Sequence, residues 1–117
     1  MQHVRWQKLP SEAISDNVER FVVWGERGTA ARFSFAVDTH ISQHMHESEQ
    51  HTYLVEGQLR INVGGQEVFL HAGEILVIPP WVAHEVWVLE KAVVVDFFAP
   101  PRSDWKLDGA GSYLEGR

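Results

Sequence analysis

Cysteine is absent from the 117-residue chain. That removes disulfides, thiolate metal sites and cysteine nucleophiles together. It leaves the compartment open, because a disulfide-free protein can fold anywhere. Cations are scarce, 10 Lys and Arg against 16 Asp and Glu, for a net charge of −6. Such scattered basic residues exclude a phosphate-tracking surface, so nucleic acid is not an expected partner. No apolar run approaches the ~20 residues of a membrane span. Met1 to Pro10 is followed by no apolar stretch of the kind a secretory signal carries. The expectation is a cytoplasmic protein with no membrane partner. Disorder is excluded as well, with 44% of residues hydrophobic and 22% charged. Helical signal is weak, and only Ser11 to Val18 suits a turn, with Ser11 as its cap.

What the chain has instead is alternation, the strand period. Ala31, Phe33, Phe35 and Val37 alternate with Arg32, Ser34 and Ala36, and Leu59, Ile61 and Val63 with Gln58, Arg60 and Asn62. Gly64-Gly65 then suits a two-residue hairpin, since both positions tolerate positive φ. Gln66 to Leu70 returns, Ala72-Gly73 turns, and Ile75 to Ile78 is stopped by Pro79-Pro80. Two last strands are predicted near Ala83 to Leu89 and Ala92 to Ala99, before Pro100-Pro101. Many short strands between Gly and Pro turns indicate one all-β sandwich or barrel. The run Val93 to Phe98 is apolar on both faces apart from Asp96. A buried carboxylate is costly alone, so Asp96 needs a partner or a task.

Seven histidines are the chemical feature. His44 and His46 are two apart, so on extended backbone both rings point one way, a natural pair of metal ligands. Gln50 and His51 follow, and His84 comes far downstream after the proline turn. His3, His40 and His71 have no motif around them.

These residues resemble the two motifs of the cupin superfamily. His44-Met-His46, then Gln50 in the usual glutamate position and Gly57 after six intervening residues, fit the first. Gly73, Pro79 and His84 fit the second, with Trp81 where a glycine is usual and Val88 where an asparagine is. The resemblance implies a single cupin-type β-barrel, a double-stranded β-helix or jelly roll, over residues 1–117. Its core would span about 28–100, with N-terminal strands over about 1–27 and a tail over about 103–117. It also implies a divalent transition metal (Ni, Zn, Fe, Mn or Cu) on His44, His46, Gln50 and His84. A nitrogen-rich set does not choose among these ions. His51 is the rival fourth ligand, since strand alternation turns one of Gln50 and His51 away from the site. The neutral Gln50 leaves the ion's charge uncompensated, which favours an anionic ligand and stronger Lewis acidity.

Asp96, Phe98 and Arg102 form the pattern D-x-F-x-x-x-R, followed by Ser103-Asp104. That tail is similar to the small cupins of pectin and alginate degradation, which linearise 4,5-unsaturated monouronates. The resemblance implies that Arg102 clamps the substrate carboxylate, Asp96 moves a proton and Phe98 walls the pocket. An apolar setting should raise the Asp96 pKa. The structural alternative is a bridge from Asp96 to Arg102 or Arg60. Two other functions fit the ligand set: an iron-dependent dioxygenase, and a sugar- or small-ligand-binding cupin without turnover. Trp6 and Trp24 fall in the expected N-terminal strands, and Trp87 alternates away from the His84 face. Outward aromatics of this kind pack a second layer or a dimer partner, so a homodimer is expected in which N-terminal strands pair with the neighbouring sheet. The tail Lys106 to Arg117, rich in Gly, is expected to be loosely ordered.

Overall fold

The alternation builds two sheets that share their two longest strands. The computed structural model describes residues 1–107. A single 3-10 turn, Trp6–Lys8, precedes β1 (Glu12–Ser15), β2 (Val18–Trp24), β3 (Thr29–Phe35), β4 (His40–His44) and β5 (Glu49–Val63). There follow β6 (Gln66–His71), β7 (Ile75–Ile78), β8 (His84–Ala99) and the one-turn helix α1 (Asp104–Leu107). All strand pairings are antiparallel. β8 pairs with β4 through its first residues and with β3 through its last, and β5 pairs likewise with β7 and then β6. β5 and β8 also pair with each other along nearly their whole length. One layer is therefore β1-β2-β3-β8-β5-β7 and the other β4-β8-β5-β6, an all-β cupin fold.

Both long strands bend where they pass between layers. The β5–β8 register shifts between Leu54 and Leu59, opposite the exposed Leu89, Glu90 and Lys91. Gly57 sits at that bend with φ 97°, and a Cβ there would stand 2.4 Å from the Lys91 carbonyl oxygen. Only glycine allows so close an approach of two backbones. The bend also explains one correction. The strands predicted near Ala83 to Leu89 and Ala92 to Ala99 are one strand, because Glu90-Lys91 is a solvent-facing corner within β8.

The turn expected over Ser11 to Val18 is likewise overturned. The chain forms the β1–β2 hairpin instead, with Ser15 opposite Val18 and the Asn17 amide donating to Ser15 Oγ at 3.1 Å. Val18 is buried, and that side-chain burial outweighs a weak helical preference. Trp6 lies in the 3-10 turn, not a strand, whereas Trp24 ends β2. The Gly64-Gly65 hairpin forms as predicted, with Val63 opposite Gln66 and φ of 54° and 88° at the two glycines.

The core lies between the layers: Phe33 stacked on Phe35, with Leu54, Leu59, Ile61, Val88, Val94 and Phe98. Trp105 belongs to it, only 4% exposed, although the barrel was expected to end near residue 100. Its ring meets Trp24, Phe33 and Phe98 edge to face, and the Arg20 guanidinium lies 4.2 Å from its centre. The returning segment is tied down by Ser48 Oγ donating to the Pro100 carbonyl at 2.6 Å and by the Arg102 amide donating to Thr29 Oγ1 at 3.0 Å. The looser tail expected over Lys106 to Arg117 falls mostly outside the described residues.

Gly57→Ala is expected to cost about 3 kcal/mol or more, combining a backbone clash with a left-handed φ. Urea unfolding measures this, and a loss below about 1 kcal/mol would mean that the β5 bend can shift to admit a methyl group.

Candidate metal and substrate site

Strand register places the histidines. His44 ends β4 directly opposite His84 at the start of β8, so both rings leave the ladder on the same side, 4.2 Å apart between centres. His46, two residues on, adds a third ring 5.0 Å from His84. One nitrogen from each of the three imidazoles lies within 4.8 Å of the others. His84 and His46 are buried and His44 is half-buried.

Each ring is oriented by the same device. Nδ1 of His44 faces the Ser42 carbonyl at 2.7 Å, Nδ1 of His46 the Ser48 carbonyl at 2.9 Å, and Nδ1 of His84 the Val82 carbonyl at 2.9 Å. A carbonyl can only accept, so Nδ1 carries the proton and Nε2 is left with a lone pair. The rings stay neutral. Burial, with His84 close by, lowers the His44 pKa to about 3. Burial lowers His84 to about 4, and burial and then Arg102 lower His46.

Gln50 completes the arrangement from β5. Its amide nitrogen donates to Thr52 Oγ1 at 2.9 Å, which turns Oε1 toward His46 Nε2, 3.0 Å away. Both of those atoms are acceptors when His46 is neutral. Two acceptors so close are unfavourable alone, but ligands sharing one ion at ~2.1 Å stand about 3.0–3.4 Å apart. Nε2 of His84 is buried with no hydrogen-bond partner. Three imidazoles converging on one point, with the buried Nε2 of His84 unsatisfied, suit a divalent transition ion. His51, the rival, is exposed on the other face of β5 and bonds Glu49 at 3.1 Å. Strand alternation thus places Gln50, and not His51, on the cavity side of β5.

Asp96 faces the same cavity from β8, opposite Thr52 in the register. Burial lifts its pKa to about 6, against hydrogen bonds from Thr52 and Gln50 and the charge of Arg102. One carboxylate oxygen, Oδ1, is buried without a hydrogen-bond partner. A bridge to Arg60 is ruled out, because Arg60 lies on the outer surface against Trp87 and Glu67. Arg102 is buried over Phe98 and gives Nε and Nη2 to Asp104 at 2.9 and 2.8 Å. Trp87 is flanked by His40, stacked at 5.4 Å, and by Arg60, so its neighbours on both adjacent strands already pack on it.

His44, Gln50, His84, Asp96, Phe98 and Arg102 line one cavity of about 40 Å³, and His46 joins them through Gln50. That volume admits roughly three waters, or an ion with some of them. A larger molecule would therefore sit across the mouth. The rest of the lining, including Phe33, Phe35, Leu59 and Ile61, is apolar. Thr52 and Trp105 escaped sequence reasoning. Thr52 was accessible as the next inward position after Gln50, whereas nothing local marks Trp105. Trp81 adopts φ 61° where the cupin motif usually has glycine, and its amide donates to the His46 carbonyl at 2.8 Å. The turn geometry of the motif is thus kept at the expense of some strain.

The chain belongs to the cupin domain family, whose model matches residues 31–98. Among solved structures it is similar to an RmlC-like cupin from Shewanella frigidimarina, at 25% identity and a TM-score of 0.84, covering 90% of this chain and 96% of that one. It is also similar to KdgF from a Halomonas species, at 25% identity and a TM-score of 0.78, covering 84% and 92%. An oxalate decarboxylase variant from Bacillus subtilis, 14% identical, shares the fold over 81% of this chain and 28% of its own, with a TM-score of 0.73. No curated protein sequence matches the chain. Among the described residues no helix is long and apolar enough to cross a membrane.

The metal-free protein is expected to lose stability in acid. The unfolded histidines titrate near 6.5 and the folded ones below it, so stability is full above 6.5 and falls as the pH drops toward 4. Asp96, raised in the fold, acts in the opposite sense between about 4 and 6, one group against three. Urea midpoints from pH 7.5 to 4.5 test this, with His84→Gln flattening the slope. A flat wild-type profile would mean that the imidazoles are not held neutral.

Proposed function

We propose that this cupin binds one divalent transition metal on His44, His46, Gln50 and His84 and opens the ring of a small 4,5-unsaturated uronic acid. The observation that carries this reading is the buried, partnerless Oδ1 of Asp96 beside the converging imidazoles. A buried carboxylate with a pKa of about 6 is a useful base at neutral pH. The resemblance of the Asp96-Phe98-Arg102 tail to the uronate-linearising cupins supports the reading, as does the likeness to KdgF across most of the chain.

A bound divalent ion would hold and polarise substrate oxygens, lowering the cost of deprotonating the ring hydroxyl. Arg102, fixed against Phe98, takes the substrate carboxylate in its planar fork. Asp96 removes the proton of the C1 hydroxyl. The C1–O5 bond then breaks, leaving an aldehyde at C1 and an enolate made of O5 and the C4–C5 double bond. Return of the proton to C4 gives a ketone at C5. Atoms and electrons balance without a co-reactant, so the reaction is an isomerisation. Thr52 and Gln50 hydrogen-bond the Asp96 carboxylate and keep its pKa from rising further. Phe98 forms the wall of the pocket and keeps water from the reacting hydroxyl.

A second reading, an iron-dependent dioxygenase, has the apolar back of the cavity in its favour, since a molecule the size of dioxygen fits 40 Å³. The surface proposed for a homodimer is the outer face of β7, β5 and β8, where Ile75, Val77, Tyr53 and Phe97 are exposed.

Asp96→Asn should lower turnover of the unsaturated uronate by about 10²-fold or more while leaving metal content unchanged. An anaerobic assay of the wild type should give undiminished rates. Full activity in the variant would return Asp96 to a structural role, and dependence on oxygen would favour the dioxygenase.

A further inference from the structure

Arg102 is a buried cation whose counter-ion reaches solvent. Its side chain is 2% exposed, and its guanidinium carbon lies 4.8 Å from the Phe98 ring centre and 4.6 Å from that of Trp105. Its amide is tied to Thr29, and it lines the cavity. The carboxylate it holds, that of Asp104, has a side chain 46% exposed and opens α1 two residues along the chain. Rotation of one side chain would carry that carboxylate into water. No comparable freedom exists for Arg102.

A buried guanidinium is costly without a counter-charge, and Asp104 supplies one in the ligand-free protein. We propose that Asp104 is an exchangeable internal carboxylate, which occupies the Arg102 subsite until the carboxylate of a small acidic ligand displaces it. This rests on the reading of Arg102 as the carboxylate clamp. The fork accepts any carboxylate in the same bidentate manner. Occupancy by Asp104 reduces the affinity for the ligand by the fraction of time the fork is taken. It also excludes neutral sugars, which have nothing to offer in exchange. Asp104 is thus a specificity-determining residue, distinct from one that merely orients Arg102. The two roles differ in sign, since an orienting residue would weaken ligand binding when removed.

The test uses metal-loaded full-length protein, Asp104→Asn, and galacturonate as a stable saturated probe, with galactose as the neutral control. Calorimetry should give a galacturonate Kd about tenfold lower in the variant, and galactose, excluded from the wild type, should bind the variant as well. Acetate at constant ionic strength should raise the thermal midpoint of the variant more than that of the wild type. An equal or weaker affinity for galacturonate in the variant, or no carboxylate effect on either protein, overturns the proposal. If Asp104→Asn does not fold, carbon NMR of the wild type gives the answer. The Asp104 carboxyl resonance should move toward that of a solvated carboxylate on adding galacturonate, and an unmoved resonance overturns the exchange. Displacement without turnover of unsaturated uronate would keep this proposal and defeat the isomerase reading. Turnover with Asp104 unmoved would do the reverse.

Discussion

The antiparallel register of β8 between β4 and β5 positions nearly every group in the cavity. It sets His84 opposite His44 on one side and opposite Val63 on the other, and it sets Asp96 opposite Thr52 and Phe98 opposite Gln50. A slip of β8 by one residue would turn His84, Asp96 and Phe98 to the outer face and bring Phe97 and Val95 inward. The cavity would lose one of its three imidazoles and its only carboxylate from β8. The apolar half of the core enforces the register, because Leu54, Val88 and Val94 are buried on the same faces that carry the polar groups. Gly57 serves the same end, letting β5 and β8 approach and bend together into the second layer.

A cavity that is mostly apolar at its back concentrates its polar groups at one end, and their burial determines their states. Imidazoles that would be partly charged in water near their ordinary pKa are held neutral, each with its proton directed to a backbone carbonyl. Asp96 is pushed the other way, toward the protonated form. The cation in the region is Arg102, and an ion on the imidazoles would add to it. The chain's overall charge of −6 has little bearing on this local balance. An acidic sugar would be repelled at long range and attracted only at the mouth.

Much of this was legible in residue order. Alternation marked the strands, the glycine pair marked its hairpin, and the H-x-H and later histidine marked the three rings that meet. What was not legible has physical causes. Glu90-Lys91 looked like a break because a strand that changes sheets exposes its corner to solvent. Ser11 to Val18 looked like a helical turn because Val18 is committed to strand by a burial partner far along the chain. Gln50 and His51 could not be separated by composition, and needed the face of β5 on which each lies. Trp105 carries no periodicity at all, and its place is set by Arg20, Arg102 and three aromatic rings from other elements. Trp81 keeps a glycine-like φ through its bond to the His46 carbonyl, so a substitution at a motif position left the turn intact.

The central claim is that the three imidazoles and Gln50 form a metal site. Elemental analysis of the purified chain, alongside His84→Ala and Gln50→Ala, tests it most directly. The account requires about one divalent transition ion per chain in the wild type, loss of that ion in His84→Ala, and weaker retention in Gln50→Ala. Metal content unchanged in both variants would contradict it.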